Sequence, residues 1–193
     1  MQGSPRGWMS RLLGVWLGLW MVVGCGQPAA ETEAQTSRAS ALWGVQARTR
    51  IASGSSHSLV VRSDGTVWAW GSNSYGQLGD GTLSHRSLPV QVQGVSGVVA
   101  VAAGAYHSLV VRSDGTVWAW GYNTYGQLGD GTTSNSTVPV RVQGMYAGGA
   151  VVAGFDHSLA VRSDGTVWAW GANYTGQLGD GTTSDRTLPV RVQ

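Results

Sequence analysis

A stretch of 50 residues is written three times in this chain, and that repetition constrains the fold more than any other feature. The units run 44–93, 94–143 and 144–193 without insertion. VRSDGTVWAWG stands unchanged at 61–71, 111–121 and 161–171, and GQLGDGT at 76–82, 126–132 and 176–182. A fixed period of this length means a modular architecture, in which each copy buries apolar surface against the next.

Within one unit the pattern is that of β-structure. VVAVA (98–102) is a short apolar run, HSLVVR (107–112) a second strand and TVWAW (116–120) a third, rich in β-branched and aromatic residues. Ser113-Asp114-Gly115 marks a tight turn between the last two, because Asp bonds its own backbone and Gly accepts positive φ. VPVRV (138–142) is a fourth strand, with Pro139 near its start, where a missing N–H matters least. Residues 123–132 form a loop with three glycines, and no helical stripe of useful length appears. The fold class expected is all-β, with propeller-type repeats: three four-stranded blades of 50 residues.

The repeat H-S-L-[VA]-V-R-S-D-G-T-V-W-A-W-G-x-N-x-x-G-Q-L-G-D-G resembles that of the regulator of chromosome condensation family, over residues 44–193. The resemblance implies a β-propeller, typically of seven blades. It also implies one of several roles: guanine-nucleotide exchange on a small GTPase, a protein-binding platform, ultraviolet reception, or inhibition of an enzyme. Fold membership does not choose among them. Three blades cannot close a ring, since propellers use about four to eight. Three explanations stand: a truncated gene product, which is preferred, an assembly such as two chains making six blades, or an open stack. Arg48-Thr49-Arg50-Ile51-Ala52 replaces the apolar first strand in the first unit, as suits a solvated terminal strand.

The N-terminus has the pattern of an address and an anchor. Arg6 and Arg11 precede an uncharged run, Leu12 to Val23. Twelve helical residues span only about 18 Å, against roughly 30 Å of bilayer core, so the run fits a signal peptide and not a membrane span. Val22-Val23-Gly24-Cys25 resembles the lipobox of bacterial lipoproteins. That resemblance implies removal of residues 1–24, acylation of Cys25, and a location on the bacterial cell envelope, anchored to the membrane. Met9 is an alternative start. Residues 25–43 then read as the lipidated cysteine and a flexible tether of small polar residues. With the signal removed, 10 Arg face 10 Asp and Glu, and there is no lysine. A neutral chain has no footprint for a polyanion, so nucleic acid is not an expected partner.

The repeated polar residues read as structural. His57, His107 and His157 open the second strands and are expected to bond a neighbouring loop, because an active site needs one special histidine and not three equivalents. His85, unique to the first unit, is expected to be merely exposed. Asp64, Asp114, Asp164, Asp80, Asp130 and Asp180 lie in Asp-Gly turns and lack the spaced acids that calcium requires. The pairs Trp68/Trp70, Trp118/Trp120 and Trp168/Trp170 place both rings on one strand face, fit to fill the wedge between sheets. No nucleophile elbow, paired carboxylate or phosphate cradle is visible, so neither catalytic residues nor a metal or cofactor are expected.

The informative positions are those that differ among units. Before the histidines stand Ser55-Ser56, Ala105-Tyr106 and Phe155-Asp156. After Trp-Gly stand Ser72, Ser74 and Tyr75; Tyr122, Thr124 and Tyr125; and Ala172, Tyr174 and Thr175. Aromatic residues on loops of a rigid scaffold suit recognition. Tyr75, Tyr106, Tyr122, Tyr125, Phe155, Asp156 and Tyr174 are the expected partner-binding residues. The expectation is a lipid-anchored, non-enzymatic scaffold that binds a protein not identified by the sequence, with self-assembly into a complete propeller as an option. The alternatives are an exchange factor for a small GTPase, an envelope enzyme, or a non-functional propeller fragment.

Overall fold

The computed structural model describes residues 49–147 and 150–193. The signal segment 1–24, Cys25 with its acylation, and the tether to residue 43 lie outside the described residues. Three antiparallel sheets of four strands follow one another along the chain. The first holds β1 (Ile51–Ser53), β2 (His57–Val61), β3 (Val67–Gly71) and β4 (Arg86–Gln91). The second holds β5 (Val98–Ala103), β6 (His107–Arg112), β7 (Thr116–Gly121) and β8 (Ser136–Tyr146). The third holds β9 (Ala150–Ala153), β10 (His157–Val161), β11 (Val167–Gly171) and β12 (Arg186–Arg191). Each sheet is a plain meander in chain order.

The hairpins close where the Asp-Gly turns stand. Asp114 Oδ1 accepts from the Thr116 N–H at 3.0 Å and its hydroxyl at 2.6 Å, and Asp64 and Asp164 do the same. Two strand bounds differ from the sequence expectation. β8 runs to Tyr146, because irregularities in register beside Thr116 and Gly121 keep it paired as far as Thr116↔Tyr146. β1 is shorter than the expected solvated strand. Thr49 and Arg50 lie exposed ahead of it, and Arg50 sends its guanidinium to the Arg62 carbonyl at 3.1 Å.

The sheets are held face to face by two apolar cores. Leu59, Val61, Val67, Ala69, Leu78 and Val92 of the first sheet meet Val101, Val110 and Trp120 of the second. Leu109, Val111, Val117, Ala119, Leu128 and Val142 of the second meet Val151, Ala160 and Trp170 of the third. Period-two alternation explains how one strand serves both: in β6, Leu109 points to one neighbour and Val110 to the other. The indoles point as their spacing implies, with Trp118 and Trp120 on the first core and Trp168 and Trp170 on the second. Burying an indole stabilises by roughly 4–6 kcal/mol, against about 1 for its N–H bond, so apolar contact holds the sheets and polar bonds set their register.

Those polar bonds form the same clasp at both junctions. The Gln77 carbonyl accepts from Ser108 Oγ at 2.8 Å and from Trp120 Nε1 at 2.8 Å, both in the next sheet. The Gln127 carbonyl accepts likewise from Ser158 at 2.9 Å and Trp170 at 2.9 Å. Ser108 Oγ also lies 3.0 Å from His57 Nε2, and Ser158 Oγ 3.0 Å from His107 Nε2. Each hydroxyl has given its proton to a carbonyl, so each histidine carries its proton on Nε2. The histidines therefore bond a strand serine of the neighbouring sheet, and not the loop expected of them. Gly121, with φ near +104°, lets the Gln77 backbone come this close: a Cβ there would stand 3.2 Å from the Gln77 Cα.

Protonation of these histidines has no place to go. Nδ1 of His57 and of His107 is buried and lacks a partner. Each ring lies where a Cβ on Gly54 or Gly104 would collide with it. Burial lowers the His57 pKa from 6.5 to about 4. Burial, with repulsion from His57 and His157, lowers His107 from 6.5 to about 3. The unfolded chain thus binds protons that the folded one refuses. The stability is complete above pH 6.5 and drains as pH falls towards the folded values. Urea unfolding between pH 6 and 4.5 should show a loss of about 1.4 kcal/mol per pH unit for each of the two histidines. His107→Gln should remove about 1.4 kcal/mol per unit from that slope, and an unchanged slope would contradict the assignment. Ser108→Ala, which strands a buried N–H, should lower stability by about 1–3 kcal/mol at neutral pH, whereas the exposed Ser74→Ala should change it by less than about 0.5.

Candidate functional site

The variable loops converge because of strand register. His107 pairs with Gly121 at one end of the β6–β7 hairpin, so the residue before one lies beside the residue after the other. The Tyr122 N–H donates to the Tyr106 carbonyl at 2.9 Å, and the same bond joins Ser72 to Ser56 and Ala172 to Asp156. The Gln77 loop of the first sheet, docked on Gly121, then carries Tyr75 to the same place. Gln77 Oε1 holds the Tyr75 N–H at 2.9 Å while its carbonyl makes the clasp. Gln127 holds Tyr125 in the same way at 3.0 Å.

The result is a continuous group of five rings across the three sheets. Tyr75 contacts Tyr122 at 4.8 Å between centroids and Tyr106 at 5.2 Å. Tyr106 contacts Phe155 edge-on at 5.8 Å, and Tyr122 contacts Tyr125 at 6.3 Å. Edge-to-face contacts of this kind hold aromatic rings in place without burying them. The four tyrosines are half-buried and Phe155 is 60 % exposed. Tyr174, also an expected partner-binding residue, is exposed and has no ring contact among the described residues. In its sheet, Ala172 and Thr175 stand where Tyr122 and Tyr125 stand in the second.

Asp156 follows Phe155 at the edge of the ring cluster. Burial raises its pKa, partly opposed by His157, and Gln127 Nε2 lies 3.4 Å from its Oδ1. His157 itself is lowered by burial, with Asp156 opposing. Next to this edge, Ser53, Gly54, Ala103, Gly104, Ala153 and Gly154 line an open depression of about 400 Å³. Its walls are backbone, small residues including the hydroxyls of Ser53 and Ser55, and the ring of Phe155, with no histidine or carboxylate among them.

The polar residues that the sequence marks as structural support this surface from below. Asn73 is fully buried: its Nδ2 reaches Asp80 Oδ1 and the carbonyls of Thr82 and Ser84, and its Oδ1 accepts from the Leu78 N–H at 2.9 Å. Asp80 is saturated by Thr82 and by Arg86, at 2.8 Å from its Oδ2. Those bonds lower its pKa although burial pushes it up. In Asp180 the Thr182 hydroxyl and Arg186, working against burial, bring the pKa to about 2. Among the described residues no three His, Cys, Asp or Glu side chains come together as a metal site. His85 is exposed but not idle, because its Nδ1 accepts from the Asn73 N–H at 2.9 Å. Asn135 and Asp185 fill that role in the other loops, so any side-chain acceptor serves, and the sequence difference conceals an equivalence.

Sequence reasoning passed over Gln77 and Gln127, which place the tyrosines. They never vary among the units and so read as scaffold. Asn123→Ala removes the acceptor of Leu128 and the donor for Thr132 and Ser134. It should cost on the order of 3 kcal/mol and weaken the tyrosine near-ultraviolet circular dichroism below the unfolding temperature.

The sequence pattern of the RCC1-like domain matches residues 17–193. Over 54 residues the chain is 43 % identical to the protein RCC2 homolog of Xenopus laevis, covering 27 % of this chain and 10 % of that protein. Human WBSCR16 superposes with a TM-score of 0.66 at 30 % identity, over 74 % of this chain and 38 % of that one. The crystal structure of Kap60 bound to yeast RCC1 (Prp20) contains a chain with TM-score 0.66 and 27 % identity, over 78 % of this chain and 38 % of that one. Prp20p from Saccharomyces cerevisiae, described with its binding properties to Gsp1p and histones, gives 0.65 at 26 % identity over 78 % and 39 %. The chain spans well under half the length of each of these proteins.

Proposed function

Since the chain belongs to the RCC1-like domain family, we propose that it acts by holding another protein, through the ring cluster Tyr75, Tyr106, Tyr122, Tyr125 and Phe155. The observation that carries this reading is the contiguity of the five rings across three sheets. Tyrosines fixed by their neighbours lose little side-chain entropy on binding, and each offers an apolar face with a hydroxyl at its edge. The family supports a binding role: in the structures named above, yeast RCC1 (Prp20) is bound by Kap60. The reading is non-enzymatic, because the serine–histidine pairs that the structure describes, Ser108 with His57 and Ser158 with His107, are buried and each hydroxyl is already donated to a peptide carbonyl.

The location belongs to the same proposal. The lipobox-like Val22-Val23-Gly24-Cys25 supports a protein acylated at Cys25 and displayed on a bacterial envelope. Near-neutral charge beyond the signal favours a partner recognised by shape and apolar contact over one drawn in by long-range attraction. Exchange activity on a small GTPase is the second reading. It rests on family resemblance, and an exported chain would not meet a cytosolic partner.

Affinity capture with the full chain tests the surface. The double substitution Tyr106→Ala and Phe155→Ala should reduce recovery of bound protein at least about tenfold, as expected when two central aromatic contacts are truncated. Capture that is unchanged by the double variant counts against this surface. Incorporation of labelled fatty acid that persists after Cys25→Ser counts against the anchor.

A further inference from the structure

The two internal junctions of the ring cluster present different chemistry on the same frame. Equivalent positions lie fifty residues apart, so Tyr125 answers to Tyr75, Asp156 to Tyr106 and Ala172 to Tyr122. Between the first and second sheets, Tyr75 meets Tyr106 at 5.2 Å and Tyr122 at 4.8 Å, and three phenol rings close on one another. Between the second and third sheets, Tyr125 takes the place of Tyr75, but a carboxylate and a methyl group take the places of the other two rings. The backbone is alike at both. Gln127 holds the Tyr125 N–H at 3.0 Å as Gln77 holds that of Tyr75 at 2.9 Å. The Ala172 N–H donates to the Asp156 carbonyl as the Tyr122 N–H does to that of Tyr106. Only the side chains have been exchanged.

Asp156 has acceptor capacity to spare. Its one side-chain hydrogen bond among the described residues comes from Gln127 Nε2, 3.4 Å from Oδ1, whereas a carboxylate can accept about four. The ion pairs among the described residues use Asp80, Asp114 and Asp180. His157, next in the chain, supplies no counter-charge at neutral pH, because burial lowers its pKa from 6.5. Burial also raises the pKa of Asp156, as befits a half-buried carboxylate without a compensating cation. The position stays open with a sheet on either side: Tyr106, its equivalent in the middle sheet, is half-buried between the first and third. Gln127 brings the carboxylate and the half-buried Tyr125 together, since one end of its amide holds the Tyr125 backbone and the other faces Asp156.

We propose that this junction receives an arginine side chain of the partner protein, its guanidinium paired with Asp156 and its flat face against the ring of Tyr125. The inference rests on the ring-cluster reading and adds the chemistry that the partner must present. Guanidinium suits the place better than ammonium. Its planar fork pairs with a carboxylate through two N–H groups, it stacks on an aromatic ring at the same time, and it is more weakly hydrated. Tyr75, Tyr106 and Tyr122 offer apolar faces without charge, so the partner's cation fixes its register along the cluster.

Titration of the full chain with acetyl-arginine amide, followed by NMR, should shift the Tyr125 ring signals with a dissociation constant in the millimolar range. Acetyl-citrulline amide, of the same shape without the charge, should leave them in place. Asp156→Asn keeps an oxygen for Gln127 and so spares the fold. It should weaken binding of the arginine compound, and capture of the partner protein, each at least about tenfold. Tyr125→Leu should weaken both about two- to fivefold. An equal response to the citrulline compound, no response to either compound, or arginine binding that Asp156→Asn leaves unchanged overturns the proposal. Capture lost in the Tyr106→Ala and Phe155→Ala double variant but kept in Asp156→Asn also overturns it and leaves the ring-cluster reading in place. Capture unmoved by any of these variants removes both.

Discussion

Two peptide carbonyls, those of Gln77 and Gln127, sit where one sheet meets the next, and the rest of the molecule is arranged around them. Each accepts a serine hydroxyl and an indole N–H from the following sheet, and each serine in turn accepts from a histidine of the preceding one. The indoles supply most of the stabilisation by leaving water, and the carbonyls fix how far the sheets slide past one another. The same two glutamines hold Tyr75 and Tyr125 by their side chains. Architecture and surface are therefore set by one residue type at one position. A sheet that slipped would move the rings as well.

The cost of the arrangement falls on the histidines. Their buried Nδ1 atoms accept nothing, and a proton placed there would meet a glycine-lined wall. A lysine or glutamine could bond the serine too, but the flat ring fills the space above Gly54 and Gly104 that no Cβ can occupy. Neutral imidazole fits that space, and the fold is accordingly tied to neutral pH. The aspartates behave in the opposite sense: hydroxyl and guanidinium donors keep Asp80 and Asp180 ionised well into acid. Acidification therefore attacks the junctions between sheets before it attacks the loops.

Much of this was legible in the residues. The three units, the four strands in each, the Asp-Gly turns and the shared face of each Trp pair follow from period and alternation, which are local properties. The loops that carry Tyr75, Tyr106, Tyr122, Tyr125 and Phe155 stood out because they vary between otherwise fixed segments. Other features were hidden. The role of His85 could not be seen, because its equivalents are Asn135 and Asp185, and what they share is an acceptor atom and not a residue type. Tyr174 had the composition of its neighbours but not their contacts. The extra length of β8 depends on irregular pairing with β7, which no alternation pattern announces.

The amino-acid sequence alone determined that this chain is three copies of a four-stranded unit, with which side chains alternate and where each turn falls, because those properties need only near neighbours along the chain. It did not determine which of the alternating faces is inside. HSLVV in β2 and HSLAV in β10 bury opposite sets of side chains. The difference comes entirely from which side holds a neighbouring sheet. Nor could sequence say that rings from three separate units touch, since that depends on a Gln loop of one sheet docking against a glycine of the next. Both are consequences of long-range contact between segments tens of residues apart, and only the tertiary structure brings those segments together.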